Sequence, residues 1–143
     1  MAMYATIFRT ETQIGELVQA FENCSLSAAE FDHHAHMTVA LWYLMSGSFA
    51  DATERIRSNI QRFAAHHRQN HLYNETITLF WMKLLRHALD VAEPTPSLAV
   101  LVHQILTSWG NMRFVFSHYS RHRIFSESAR QTWLEPDLLP LSF

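Results

Sequence analysis

The segment FDHHAHMTVALWYLM, residues Phe31 to Met45, decides the fold because it is the most apolar stretch of helix length in the chain. Its first six residues contain one aspartate and three histidines. We interpret the segment as a helix with a polar first turn and a remainder that lies in the core. Asp32 is the expected N-cap, because a carboxylate at that position accepts hydrogen bonds from free backbone N–H groups. We therefore expect titratable side chains at the edge of the core.

The composition is typical of a compact helical protein. The chain has 143 residues, which is the length of one domain. Apolar residues make up 48% and charged residues 17%, with only 3 Gly and 4 Pro. These proportions exclude a disordered chain, a collagen-like repeat and a turn-rich all-β protein. The prediction is an all-α fold in which residues 1–143 form a single domain.

Capping signals and apolar spacing predict about five main helices. The expected N-caps are Thr10, Asp32, Ser48, Asn74 and Ser97. The second helix has an alternative start at Ala28, because Ser27 to Glu30 also has the capping-box pattern. Gly47 is expected to end that helix in the left-handed conformation. Pro94 and Gly110 mark the ends of the fourth and fifth helices.

The region after Gly110 has no single periodic pattern. RFVFSHY predicts a short helix, Ser126 is the expected cap of another through Trp133, and EPDLLPLSF predicts an extended tail that packs by its Leu and Phe side chains. Short connections favour antiparallel neighbours. We predict an antiparallel helical bundle with a C-terminal helical and extended wrap. The starts of helices two and four and the ends of helices three and five should then lie at one end.

Charge and motif content exclude several classes of function. The balance of 11 basic and 13 acidic residues, without a Lys/Arg run, argues against a nucleic-acid partner. Cys24 is the single cysteine, so the chain has no internal disulfide and no CxxC motif. The glycines occur singly, so a phosphate-binding loop and a nucleotide cofactor are not expected. We see neither a signal-peptide pattern nor a membrane-length apolar run, and expect a cytoplasmic protein without a membrane partner.

The ten histidines are the first indication of function, and three of them stand at helix ends beside core positions. His33 and His36 are three residues apart, which places both on one helix face. His34 is rotated away from them and is interpreted as a surface residue. His67 is expected on the inward side of the third helix, and Glu75 begins a stripe that continues into the core. The predicted helix ends bring these side chains together.

The leading hypothesis is a metal site. Imidazole nitrogen and carboxylate oxygen suit Zn²⁺ and non-haem Fe²⁺. The expected ligands are His33, His36, Glu75 and His67. In a small oxygenase or hydrolase-like enzyme, the metal would activate water or dioxygen. The candidates to orient a substrate are Tyr43, Thr78 and Tyr119.

The alternative hypothesis gives the same residues ordinary roles. His33 and His36 are then hydrogen-bonded residues of a first turn, and Glu75 interacts with the helix N-terminus beside its cap. His67 interacts with the carbonyl groups of a helix end. The chain would be a non-enzymatic ligand- or protein-interaction module with a buried His/Glu hydrogen-bond network. Trp133 and the LLPLSF end offer a surface for a homodimer.

Three motifs resemble those of an uncharacterised group of small bacterial all-helical proteins. The group has F-x-H-x-x-H opening an apolar helix, Y-H-E-T-x-T opening a later helix, and a tail like Y-S-x-x-x-[IL]-x-S-x-x-A-R-x-x-W-x-E-P-D-L. The matching residues are Phe31, His33, His36, Tyr73, Glu75, Thr76, Thr78, Tyr119, Ser120, Ile124, Ser126, Ala129, Arg130, Trp133, Glu135, Pro136, Asp137 and Leu138. The resemblance covers roughly residues 31 to 141 and implies no established activity.

The chain departs from the second motif at Asn74, where the group has histidine. If that histidine is a metal ligand in the group, the site here is altered or uses water, His67 or His71. If it is a helix cap, asparagine replaces it without loss.

Overall fold

The computed structural model describes residues 7–143, and the predicted all-α fold is confirmed. In that range there are eight α-helices: α1 Glu11–Glu22, α2 His33–Ser46, α3 Phe49–His66, α4 Glu75–Val91, α5 Leu98–Trp109, α6 Val115–His118, α7 Arg121–Ile124 and α8 Glu127–Gln131. Two short 3-10 helices, Asn70–Leu72 and Met112–Phe114, precede α4 and α6. The five long helices form the bundle, and the elements after α5 form the C-terminal wrap.

Helix α2 is the centre of the bundle. It packs against α1, α3, α4 and α5. A helix with neighbours on all sides has no solvent-facing stripe, so it must be apolar around most of its circumference. Its buried residues are Ala35, Met37, Thr38, Val39, Ala40, Leu41, Tyr43 and Leu44. This central position explains why the segment from Phe31 to Met45 decides the fold.

All five predicted N-caps are observed. In each, the cap side chain accepts a hydrogen bond from the backbone N–H three residues later: Thr10 from Gln13, Asp32 from Ala35, Ser48 from Asp51, Asn74 from Ile77 and Ser97 from Val100. The start of α2 lies after Asp32 and not at Ala28. Ser27 and Glu30 do form the reciprocal bonds of a capping box, but only a turn follows.

The expected left-handed stop at Gly47 is wrong. Gly47 is extended, with φ −171°, because Ser48 directly caps the next helix and requires an extended approach. The left-handed residues are instead Cys24 (φ 59°) and Arg68 (φ 57°). Each follows a helix that ends in a Schellman motif, with Ser25 N donating to Ala20 O and Gln69 N donating to Ala64 O.

The C-terminal wrap packs on α4 and forms a second apolar cluster. Its buried members are Phe80, Val115, Tyr119 and Ile124. Trp81 packs against both this cluster and the main core. Leu141 and Phe143 pack against the cluster, whereas Leu138 and Leu139 are exposed. The tail therefore packs by part of its apolar side chains.

Hydrogen bonds from the first turn of α4 hold the wrap in register. The side chain of Asn74 caps α4 and also donates through Nδ2 to Ile124 O at 2.7 Å. The buried Thr76 hydroxyl lies 2.7 Å from Ala129 O and 2.8 Å from Thr132 O, and it accepts from Leu134 N. Asn74 thus has the role of a cap, with an added bond to the wrap. These bonds fix the position of α8, which forms one wall of the candidate site.

Candidate functional site

Glu75 is bound by protein donors. Arg57 Nε donates to Oε1 at 3.0 Å and to Oε2 at 3.2 Å, and Arg57 Nη2 donates to Oε2 at 2.7 Å. The Tyr73 hydroxyl donates to Oε1 at 2.5 Å. Arg57 Nη1 donates to Glu54. The guanidinium and the carboxylate therefore meet in the two-pronged geometry that is favourable for an ion pair.

The surroundings keep Glu75 ionised. The side chain of Glu75 is 15% exposed and that of Arg57 is 29% exposed. Burial alone would raise the pKa of Glu75, but hydrogen bonds from Arg57 and Tyr73, with the Arg57 charge, lower it on balance. Burial and the neighbouring carboxylate raise the pKa of Tyr73. Glu75 is consequently a stable anion and Tyr73 a stable hydroxyl donor.

The position of α4 separates Glu75 from the candidate histidines. Arg57 lies nine residues before His66, the last residue of α3, which is about 13 Å along the helix axis. The α4 residue that meets His33 is Trp81, with ring centroids 4.6 Å apart, six residues or about 9 Å after Glu75. Among the described residues, no ion pair joins Glu75 to His33 or His36.

His36 stacks on an aromatic neighbour. Its ring lies 3.8 Å from the Phe31 ring, centroid to centroid, and Phe31 in turn packs against Phe63. Burial lowers the pKa of His36 to about 4, and His33 contributes in the same direction against the opposing effects of Asp32 and the Phe31 backbone. His36 is therefore a neutral residue of the core edge at neutral pH.

His33 carries a nitrogen that lacks a partner. Its Nε2 is buried, with no hydrogen-bond partner in the described part of the chain. Burial lowers the pKa of His33 to about 4, with His34 adding to the effect and with Asp32 and the Gly110 backbone opposing it. His34, which we expected at the surface, is half-buried. Its Nε2 lies 3.0 Å from where a Cβ of Gly110 would stand. The end of α5 thus lies beside the start of α2, as predicted.

His67 connects the end of α3 to the loop before α2. It is the C-cap of α3, and its Nε2 lies 3.0 Å from Leu26 O. Its ring also packs against Phe63, with centroids 4.4 Å apart. The contact with a carbonyl group agrees with the interpretation of His67 as a helix-end residue, although the carbonyl belongs to another segment.

The three hydroxyl groups expected to orient a substrate form hydrogen bonds within the protein. The buried Tyr43 hydroxyl accepts from Asn59 Nδ2 at 3.0 Å, and burial raises the pKa of Tyr43 to about 12. Thr78 Oγ1 donates to Asn74 O at 2.9 Å. The Tyr119 hydroxyl donates to Leu134 O at 2.6 Å and so fixes the wrap. Each of the three hydroxyl groups therefore has a hydrogen-bond partner within the protein.

Across residues 7–143, no group of three or more His, Cys, Asp or Glu side chains is arranged to hold a metal ion.

A polar groove lies beside the Arg57–Glu75 pair. Its volume is about 360 Å³, and its lining residues are Gln61, Asn70, Tyr73, Glu127, Arg130 and Gln131. Tyr73 joins the two features, because its hydroxyl donates to Glu75 and its backbone carbonyl accepts from Arg130 Nε at 3.4 Å. Sequence reasoning missed this groove, since three separated segments build it and only the docked wrap brings them together.

The comparisons with known proteins give no match. No protein-family model matches the chain, and no curated protein or solved structure matches it either. The motif resemblance to small bacterial helical proteins therefore stays a prediction. None of the helices in the described range has the length and apolar character needed to cross a membrane.

Proposed function

We propose that the chain is a non-enzymatic ligand-binding module whose histidines and Glu75 stabilise the fold. The observation that carries this proposal is the Glu75 carboxylate, which accepts from Arg57 through both oxygens and from the Tyr73 hydroxyl. Binding a metal ion through Glu75 would break some of these bonds. Hydrogen bonds to charged groups each contribute about 1.5–3 kcal/mol, so Glu75 is a poor candidate for a metal ligand.

The other polar residues support the same proposal. His36 stacks on Phe31, and His67 contacts the Leu26 carbonyl. The His67 contact joins the end of α3 to the loop before α2, and the His36 stack holds Phe31 against the first turn of α2.

The groove supports a binding role in addition to a structural one. Its volume of about 360 Å³ falls within the range of about 300–1,000 Å³ found for small-molecule pockets. Amide and charged side chains line it, which favours a small polar ligand.

A second candidate function keeps the histidines as metal ligands. His33 Nε2 favours it, because a buried nitrogen without a partner requires an explanation. In that proposal Zn²⁺ or non-haem Fe²⁺ binds near His33 and His36, as in a small oxygenase or hydrolase-like enzyme. The two proposals differ in their response to metal removal.

Location and assembly belong to the proposal as well. A cytoplasmic location suits a chain whose one cysteine, Cys24, is free. A homodimer would use the exposed Leu138 and Leu139 of the tail.

Thermal unfolding of the untagged protein with and without a chelator tests the proposal. We expect the same midpoint in both, and the same midpoint after Zn²⁺ or Fe²⁺ is added. The proposal fails if the chelator lowers the midpoint and the metal restores it. Loss of that response in Glu75→Gln would then make Glu75 a ligand, and its persistence would favour the histidine site. Glu54→Gln is the matched control, because Glu54 also contacts Arg57 but is 66% exposed.

A further inference from the structure

We infer that the groove between α3, the 3-10 helix Asn70–Leu72 and α8 binds a small zwitterion of the α-amino acid class. Arg130 would hold the ligand carboxylate and Glu127 the ligand ammonium group. This inference rests on the proposed ligand-binding function and names the ligand class and the recognising residues.

Arg130 has donors that the protein leaves free. In residues 7–143 its single side-chain hydrogen bond is from Nε to Tyr73 O at 3.4 Å, and no carboxylate lies within 4.0 Å of it. Its two terminal nitrogens therefore remain for a two-pronged hydrogen bond to a carboxylate. Arg57 provides the contrast, because Glu75 and Glu54 occupy all three of its nitrogens.

Glu127 supplies the opposite charge and lines the same groove. It lies three residues before Arg130 on α8, so both side chains occupy one helix face. An acid and a base at this spacing are within reach of each other, but among the described residues these two form no ion pair. One Glu127 oxygen accepts from Gln131 Nε2 at 3.2 Å, and the other remains for an ammonium group. Two separated, unpaired charges facing one groove match a ligand that carries both signs.

The facing wall adds uncharged polar groups. Gln61 of α3 and Asn70 of the 3-10 helix are exposed and line the groove. Each primary amide has donors and an acceptor, which suits the polar side chain of a ligand. A bound ligand would therefore connect the bundle to the wrap and hold α8 in place.

Calorimetric titration with each of the twenty common L-α-amino acids tests the inference. We expect saturable binding of at least one of them. Its N-acetylated form loses the ammonium charge, and its α-amide form loses the carboxylate charge. Each should therefore bind at least about tenfold more weakly than the amino acid. On binding, hydrogen exchange of residues 127–131 should slow. Absence of binding by all twenty up to about 10 mM, or an analogue that binds as tightly as its parent amino acid, overturns the inference.

Substitutions in the groove assign the residues. Arg130→Gln and Glu127→Gln should each weaken binding by about tenfold to a hundredfold, the loss expected for a hydrogen bond to a charged group. The matched controls are Arg113→Gln and Glu16→Gln at exposed positions outside the groove lining, and both should bind as the wild type does. Equal weakening by the controls overturns the inference.

A further variant separates binding from folding. Arg130→Lys keeps the positive charge but loses the two-pronged geometry, so it should retain the wild-type unfolding midpoint and bind about tenfold weaker. Wild-type affinity in a folded Arg130→Lys protein contradicts the assigned geometry.

If the metal test supports the non-enzymatic module and no amino acid binds, only the zwitterion inference fails. A structural metal held by Glu75 would instead remove the proposed function itself.

Discussion

Arg57 and Glu75 form a two-pronged ion pair, with Nε 3.0 Å from Oε1 and Nη2 2.7 Å from Oε2. The pair joins the middle of α3 to the first turn of α4 and is partly shielded from solvent. It therefore positions the start of α4, and through Tyr73 it supports one side of the groove.

A double-mutant cycle measures the strength of this pair. Arg57→Gln and Glu75→Gln should each destabilise the protein by about 2–3 kcal/mol, and the coupling free energy should be about 1–3 kcal/mol, because charge-assisted hydrogen bonds are lost from a half-buried position. Urea unfolding of the wild type, the single variants and the double variant gives these values.

The exposed pair Arg86–Asp90 is the matched control for that cycle. Its N–O distance of 2.9 Å is similar, but its side chains are 39% and 60% exposed. Its coupling free energy should be about 0.5 kcal/mol or less. Equal coupling in the two pairs would show that the Arg57–Glu75 contact is an ordinary surface pair.

Stability should fall as the pH drops from neutral toward 5. The pKa values of His33 and His36 are lowered to about 4 in the folded protein, against about 6.5 when unfolded. As the pH falls, the unfolded state therefore binds protons before the folded state does. The contribution of the two histidines to the free energy of unfolding is complete above pH 6.5 and is lost as the pH falls toward 4. We expect a loss of about 2 kcal/mol per histidine between pH 7 and pH 5.

His36→Phe separates the contribution of His36, because phenylalanine keeps an aromatic contact with Phe31 but does not titrate. Urea unfolding of the variant should show about half of the wild-type loss between pH 7 and pH 5. Glu75 affects stability at a lower pH than the histidines do. Because its pKa is lowered in the folded protein, the stability it adds is lost only as the pH falls below the ordinary pKa of a glutamate. Unchanged stability of the wild type across this range would contradict the burial of both imidazoles.

Thr76→Val should loosen the wrap. The substitution keeps the shape of the side chain but leaves Leu134 N–H and the Ala129 and Thr132 carbonyls without the Thr76 hydroxyl. An unsatisfied buried polar group costs about 1–3 kcal/mol, so hydrogen exchange of residues 127–143 should accelerate. In Thr107→Val the lost bond is to the same helix at an exposed position, and the change should be below about 0.5 kcal/mol. Equal effects of both variants would contradict the role of Thr76.

Arg68→Gly should stabilise the protein by up to about 1 kcal/mol, because a left-handed residue with a Cβ is strained and glycine is not. Arg68 has φ 57° at the end of α3. Glu16→Gly, inside α1, should instead destabilise by about 1 kcal/mol. Thermal unfolding checks both signs, and a destabilised Arg68→Gly protein would contradict the Schellman end of α3.

The bundle helices were predictable because their signals are local. The Asp32 cap and the Ala35 N–H group that donates to it lie within one helical turn. The apolar spacing of α3 and of α4 is likewise visible within each segment of sequence. Gly47 shows the limit of a local rule: glycine permits a left-handed end but does not require one, and the cap of the following helix determined its conformation.

The partners of Glu75 were not predictable by the same reasoning. Arg57 is 18 residues away in sequence, and the choice of Arg57 depends on where the 3-10 helix Asn70–Leu72 packs on α3. The groove needs still longer separations, since Arg130 contacts the Tyr73 carbonyl across 57 residues. Helical spacing identifies which side of a helix faces inward, but it does not identify which turn of a neighbouring helix lies opposite.

The metal content of the untagged protein is the most direct test of the claim that Glu75 is an ion-pair partner of Arg57 and not a metal ligand. Elemental mass spectrometry of wild-type, His36→Ala and Glu75→Gln proteins, purified without chelator or metal resin, gives the zinc and iron content per chain. We predict far less than one metal ion per chain in all three. Stoichiometric zinc or iron in the wild type that both substitutions remove would contradict the claim.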